Sequence, residues 1–522
     1  MMECLYISSR SATVLLDREG DYYASSRVRL RLNGEDIGTE DRSVCSLFGL
    51  WPDTEYVLEG LAEGRPAESL VFRTAKEACT LNVRRFGALG DGEHDDTPML
   101  QAAILSCPPG GRVLVPKGTY RTGPLFLKSD ITIEIQKDAV LALRTDRDAF
   151  PILPGMTRTT DEQDEYLLGS WEGNPLSSFA SALTGISVEN VQIIGEGVVD
   201  GCAQQGDWWI NHRTLRGAWR GRLFYLRDCA NVTVQGITFR NSPAWNLHPT
   251  FSRQLSFLNV RVEAPPDSPN TDGFDPESCR GIRMLGTVFS VGDDCIAIKS
   301  GKIYMGQKYH TPCEDIEIAW CAMLDGHGGV TVGSEMAGGV RGVRVHNCYM
   351  RGNDRGLRIK TRRGRGQYAV VDDIVFEDVR MEGVKAPLVV NAMYFCDPDG
   401  RSAYVQSREK QPVDDTTPTV GSIRFERVQA KDCAACAAYI LGLPELPAEK
   451  ITIRDCAFSF AADAKPMVPA MAAGVEACSR RGVIARFVQQ IVLEGVRTEG
   501  IAGDWLDVQD CGQIVDHNIL NQ

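Results

Sequence analysis

The chain has 522 residues, of which 43% are hydrophobic and 24% charged, with 51 glycines and a formal net charge of −13. That is the balance of an ordinary folded protein long enough for more than one domain, and its summed negative field argues against a nucleic-acid partner. No run is long and apolar enough to span a bilayer, and the start MMECLYISSRSATVLLDREG lacks the cationic-then-apolar order of a secretory leader, so no membrane partner and a cytoplasmic location are expected.

Residues 1–77 read as a small all-β unit. Arg27-Val28-Arg29-Leu30-Arg31-Leu32 alternates as a strand does. The run Leu50-Trp51-Pro52-Asp53-Thr54-Glu55-Tyr56 places a turn before a strand with tyrosine near its start. This resembles the fibronectin type III sandwich, in which such a tyrosine packs at a strand corner. Lys76-Glu77-Ala78-Cys79-Thr80 is the expected junction.

Residues 78–522 read as a second unit. Asp95, Asp96 and Thr97 offer N-caps for a helical run over residues 99–107, and Pro108-Pro109-Gly110-Gly111 stops it. From there short apolar-x-apolar strands recur after a polar step: Asn190-Val191-Gln192-Ile193, Asn231-Val232-Thr233-Val234, Gln254-Leu255-Ser256-Phe257, Gly281-Ile282-Arg283-Met284, Asp315-Ile316-Glu317-Ile318, Gly342-Val343-Arg344-Val345, Asp373-Ile374-Val375-Phe376 and Lys450-Ile451-Thr452-Ile453. The middle six are spaced by 23, 27, 34, 27 and 31 residues. A repeat of that size with strands and few helices predicts a right-handed parallel β-helix, each coil burying its apolar residues and stacking on the next. Asn-Gly hairpin turns are largely missing between the strands, which disfavours a series of separate sandwiches. Seventeen cysteines without a leader are expected as reduced thiols, and the lone Cys433/Cys436 pair as core packing rather than a zinc site.

Four segments carry the chemistry: Asn270-Thr271-Asp272-Gly273, Gly292-Asp293-Asp294-Cys295, Gly326-His327-Gly328 and Arg358-Ile359-Lys360. Asp272 precedes Asp293 by 21 residues, Asp294 precedes His327 by 33, and His327 precedes Arg358 by 31. Each interval is about one coil, so stacking would set all of them along one cleft. Three clustered carboxylates cannot all ionise comfortably; repulsion should raise one and leave the others charged. A proton donor beside a base that activates water is what glycoside hydrolysis requires. If Asp293 and Asp294 lay on a regular strand, one would lean inward. His327 stands among glycines, one coil on, placed to tune that proton or hold its donor. Arg358 and Lys360 alternate with Leu357 and Ile359 and so share a face; with Arg362, Arg363 and Arg365 they form a dense cationic run suited to an anionic sugar acid. No histidine pairing at metal-ligand spacing is found, and neither metal nor cofactor is expected.

Taken together, the ordered motifs resemble glycoside hydrolase family 28, the polygalacturonases, over roughly residues 81–500, and residues 86–104 resemble the start of pectin-acting β-helices. The resemblance implies that Asp293 is the proton donor, that Asp272 and Asp294 activate water, that His327 belongs to the catalytic set, and that Asn270, Arg358, Lys360 and Tyr394 bind substrate, a galacturonate-containing oligo- or polysaccharide. It implies inversion, with Asp293 about 6.5–9.5 Å from the water-activating acids. The N-terminal sandwich, together with Trp171-Glu172-Gly173 and the long 148–182 segment, resembles exo-acting bacterial members whose added loops block one end of the groove. Two other readings compete: a Ca²⁺-dependent pectate lyase on the same fold, and a non-catalytic glycan-binding β-helix.

Overall fold

The computed structural model describes residues 2–64, 66–157 and 167–521. The chain begins with two antiparallel sheets. One contains Glu3–Ile7, Ala12–Leu15 and Val44–Leu47; the other contains Glu35–Arg42, Tyr23–Leu32, Glu55–Ala62 and Glu68–Arg73. Their inner faces close on Val14, Leu30, Leu58 and Phe72. Tyr56 accepts a hydrogen bond on its hydroxyl from the Trp51 amide at 2.8 Å, tying the strand start back to the turn before it. That corner and the two sheets are consistent with the fibronectin type III-like unit expected from the sequence.

From Thr80 onward the chain coils as a parallel β-helix. The polar step before most of these strands has a backbone cause. Asn190, Asn231, Gln254, Asp315 and Asp373 all take positive φ, between 50° and 57°, and Gly281 and Gly342 take 70° and 62°. In these seven coils one left-handed residue turns the chain into the new strand, and short polar side chains or glycine tolerate it best. Asn231 donates to Asn190 on the coil below at 2.8 Å, continuing the stack in side-chain hydrogen bonds. Inside, Val191, Val232, Leu255, Ile282, Ile316, Val343, Ile374, Ile423, Ile451 and Ile491 form one column through parallel pairings in register. Each such buried side chain contributes roughly 1.5–3 kcal/mol of burial, which is the main force closing the coils. The strand Ser422–Glu426, absent from the repeat read in the sequence, fills the column between Ile374 and Ile451. All seventeen cysteines are free thiols, and Cys433 and Cys436 lie in the core as expected.

The face that matters for chemistry is a separate parallel sheet. Its strands are Ile296–Ile298, Gly328–Val332, Arg355–Lys360, Ala386–Asn391, Cys436–Leu441, Arg481–Arg486 and Leu506–Gln509. Bridges from Leu247 to Phe274 to Ile296, and from Thr250 to Glu277 to Lys299, continue it toward the N-terminal coils. The N-terminal sandwich docks elsewhere, through Leu15 and Val44 against Leu258, Leu285, Ala319 and Trp320. Among the described residues it supplies none to this sheet face.

Candidate active site

Stacking does bring the motif residues together. Asp272, Asp293 and Asp294 each direct a carboxylate oxygen to within 4.8 Å of the others. Asp293 and Asp294 both reach the cluster because they precede the strand Ile296–Ile298, in irregular backbone where strict alternation does not apply. Asp294 donates its amide to Asp293 Oδ1 at 3.0 Å. Gly328 is required beneath them, since a Cβ there would stand 2.6 Å from Asp294 Oδ1. The expected separation of about 6.5–9.5 Å between Asp293 and its partners is not found. Asp272 stands one coil from Asp293 and Asp294, and neighbouring rungs of a sheet face are about 4.8 Å apart.

The three acids differ in surroundings. Asp272 is buried, and burial, reinforced by the charges of Asp293 and Asp275, pushes its carboxyl well above the ordinary value. Burial thus exceeds mutual repulsion as the cause of the shift. Asp294 is equally buried, but Lys360 Nζ at 2.8 Å and Arg358 Nη1 at 3.2 Å outweigh burial and hold it well below the usual carboxylate range. Asp293 is the most open of the three, and His327 Nδ1 lies 3.3 Å from its Oδ1. That hydrogen bond raises the imidazole above its ordinary value. His327 itself is half exposed, at the mouth of the cleft.

The predicted binding residues fall around this cluster. The Tyr394 ring centre lies 5.5 Å from the Arg358 guanidinium carbon and 5.4 Å from Lys360 Nζ. Asn270 takes φ 54° and accepts from Arg220 at 2.7 Å; it shares a small cavity of about 260 Å³ with His212, Asp293 and His327. The rest of the cationic run does not belong to the site. Arg362 pairs with Asp399, Arg363 with Glu445, and Arg365 with Asp397. Each guanidinium is buried and paired with a loop carboxylate, Asp397 being shared with Lys302 and Arg362, so these three bind loops together rather than a sugar acid.

The cleft floor also holds residues that no sequence motif marks. Asp275 is fully buried beside Lys299 Nζ at 3.3 Å, and Lys299 also meets Glu335 at 3.1 Å. Burial pushes Asp275 up to about 8, against the opposing pull of Lys299. His248 Nε2 lies 2.9 Å from Glu277, and burial lowers this imidazole to about 4. The signal available was modest: Asp275 follows Asp272 by three residues, and Lys299 continues the alternation Ile296-Ala297-Ile298-Lys299.

The N-terminal part of the floor is covered. Tyr225 donates to Leu168 O at 2.6 Å, Arg222 donates to Ser170 O at 2.6 Å, and the Lys302 amide donates to Gly173 O at 2.9 Å. Between these points Trp171 stacks on Trp219 with ring centres 4.9 Å apart, and on Trp245 at 6.3 Å. Residues 168–173 therefore lie across the sheet face, as the resemblance to an end-blocking insertion implied. Residues 158–166 of the 148–182 segment lie outside the described residues.

Three carboxylates so close could encircle a hard cation. Asp294, however, is already paired with Arg358 at 3.2 Å and Lys360 at 2.8 Å. Among the described residues, that pairing leaves Asp272 and Asp293 as the two acids of the trio without a cationic side chain against them as close as those on Asp294, apart from His327 beside Asp293.

Comparison with known proteins agrees with this geometry. The family profile described as glycosyl hydrolases family 28 matches residues 111–469, and one described as rhamnogalacturonase A/epimerase, pectate lyase-like, matches residues 80–137. A "Probable polygalacturonase" of Vitis vinifera is 30% identical over 429 residues, covering 80% of this chain and 82% of that protein. An "Exo-poly-alpha-D-galacturonosidase" of Dickeya chrysanthemi is 26% identical over 377 residues, 63% of this chain and 59% of that protein. Among solved structures, the family 28 exopolygalacturonase of Yersinia enterocolitica superposes with TM-score 0.74 at 17% identity, covering 98% of both chains. The hyperthermoactive exopolygalacturonase of Thermotoga maritima superposes with TM-score 0.65 at 26% identity, over 80% of this chain and 91% of that one. The chain belongs to glycosyl hydrolases family 28.

Proposed function

We propose that this family 28 glycoside hydrolase cleaves α-1,4 galacturonosyl linkages of pectin-derived polymers or oligomers from their chain ends. The observation that carries this reading is the convergence of three acids in distinct states with a cationic pair and an aromatic ring in one cleft. Asp293, the most accessible acid and the one held by His327, delivers the proton to the leaving glycosidic oxygen. Asp294, kept ionised by its cations, takes the proton of the attacking water, with Asp272 holding that water in place. Arg358 and Lys360, with Tyr394 and Asn270, hold the uronic acid beside the scissile bond. Exo action is supported by residues 168–173, which lie across the floor on its N-terminal side.

Inversion is supported by the family resemblance and not by the carboxylate spacing, which is closer to that of a retaining pair. One experiment addresses both points. Proton NMR on galacturonate oligomers in the first minutes identifies the product and its anomer. Short product of the inverted β-configuration is expected from the outset. A ladder of intermediate lengths would overturn exo action, an α-anomer would overturn inversion, and an unsaturated product would favour the lyase reading.

A further inference from the structure

The floor of the cleft is cut off on its C-terminal side as well. Arg358, Val389, Tyr439, Ile484 and Asp507 occupy one row across successive parallel strands. Arg358 and Val389 hold equivalent positions on neighbouring strands, alternate with the inward Leu357 and Leu388, and so face the cleft. A cleft-facing valine on an open floor would be exposed, yet Val389 is only 1% exposed.

Over these strands lies a strap formed by residues 467–473, whose Ala470 and Ala472 belong to the same buried cluster as Val389. Its base is pinned where Met467 and Cys478 exchange backbone hydrogen bonds at 3.0 and 2.9 Å. It then crosses the sheet along the strand direction. Arg355, at the start of one strand, donates to Pro469 O at 2.9 Å and Val468 O at 3.1 Å. Arg358 reaches Met471 Sδ at 3.3 Å. Asn391, at the end of the next strand, donates to Met471 O at 3.1 Å, as does the Phe395 amide. On the far wall the Ala473 amide donates to Gln406 at 2.8 Å, and Arg408 donates to Ala473 O at 2.8 Å. Beyond the strap the groove resumes as a separate cavity of about 730 Å³ floored by Tyr439 and Ile484. The sheet thus continues, but a chain lying on it cannot.

We propose that this strap is the second end-wall of the cleft, and that with residues 168–173 over the other end it restricts the enzyme to short galacturonate oligomers. The open floor runs from the coil of Asp272 to that of Arg358. That is three coil steps of about 4.8 Å, or about 14 Å, which accommodates only a few sugar rings. A longer chain must rise off the sheet beside His327 and gains nothing from further floor contacts. This inference rests on the galacturonan hydrolase reading and narrows its substrate class.

The test compares kcat/KM for digalacturonate, trigalacturonate and a decamer on the full-length enzyme and on two variants. In one, residues 468–472 are replaced by Gly-Gly. In the other, Gln406→Ala and Arg408→Ala release the far anchor and leave the strap sequence intact. The wild type is expected to favour the short oligomers by about tenfold or more, a discrimination within reach of a steric pocket wall, and either variant to narrow that ratio by raising the decamer rate. A wild-type enzyme that cuts decamer as efficiently as trimer overturns the proposal, as does an unchanged ratio in whichever variants fold. Hydrolysis of none of the three would instead overturn the functional reading on which it stands.

Discussion

Replacing Asp275 with asparagine should change how stability depends on pH. In the folded chain burial holds this carboxyl at about 8, against an ordinary value of 3.8. Lys299 keeps its charge because Glu335, 3.1 Å away, remains ionised well below the usual range. Asp275 therefore carries a proton in the folded state that the unfolded chain releases. Its stabilising contribution is complete below the unfolded value and is lost as pH rises through about 8. One proton per molecule corresponds to about 1.4 kcal/mol per pH unit across that window. With an unfolding entropy of about 2.1 cal/mol/K per residue over 522 residues, this is a fall in Tm of about 1 °C per pH unit. Asparagine matches the shape of the neutral carboxyl and has no proton to release. Calorimetric scans between pH 5 and 8 should show the wild-type Tm falling more steeply than that of Asp275→Asn, by about 3 °C over the range. Parallel curves would refute the assignment of a buried neutral acid to the cleft floor.

Three further outcomes follow from the site. Asp293→Asn should lower kcat by about 100- to 10,000-fold while calorimetry still detects oligomer binding; near-normal turnover in the folded variant would remove Asp293 from the role of acid. Lys360→Met withdraws the closer of the two cations that keep Asp294 ionised. The depressed carboxyl then rises toward its ordinary value, so the acid limb of the kcat/KM profile should move to higher pH, and an unmoved limb would contradict the clamp. Arg363→Ala breaks a buried pair in which the guanidinium meets Glu445 at 2.6 and 2.8 Å and donates to the carbonyls of Tyr404, Val405 and Ser407. A loss of about 3–5 kcal/mol should appear as a lower melting temperature, with kcat unchanged in the folded protein; a selective rise in KM without destabilisation would return Arg363 to the substrate site.

The exchange between Arg358, Lys360 and Asp294 also bears on catalysis. The cations that are proposed to hold substrate carboxylate already serve the base. A uronic acid arriving beside them competes for the same charge, so binding and the strength of the base are linked through two side chains. The Asp272 carboxylate has an oxygen within 4.8 Å of the other two acids, so the three titrate as one coupled cluster that the arriving charge perturbs as a whole.

The periodic part of this protein was legible in the sequence. A polar residue in a left-handed turn followed by apolar alternation is a local requirement, met coil after coil. The coil length then dictates that Asp272, Asp293, Asp294, His327 and the Arg358/Lys360 pair share one cleft. What the sequence could not specify is everything that depends on where irregular loops return. Arg362, Arg363 and Arg365 look identical in kind to Arg358 until Asp399, Glu445 and Asp397 are seen to neutralise them, and the partner of Arg363 is 82 residues away. The separation of the acids was set by the inter-strand spacing of the stack rather than by the reaction they serve. Residues 168–173 and 467–473 lie in segments without the repeat's alternation, yet they define both ends of the floor. Strand periodicity is written in neighbouring residues because each coil must bury its own apolar side chains; loop placement is decided by hydrogen bonds and ion pairs between residues far apart in the chain, and only the folded molecule brings those together.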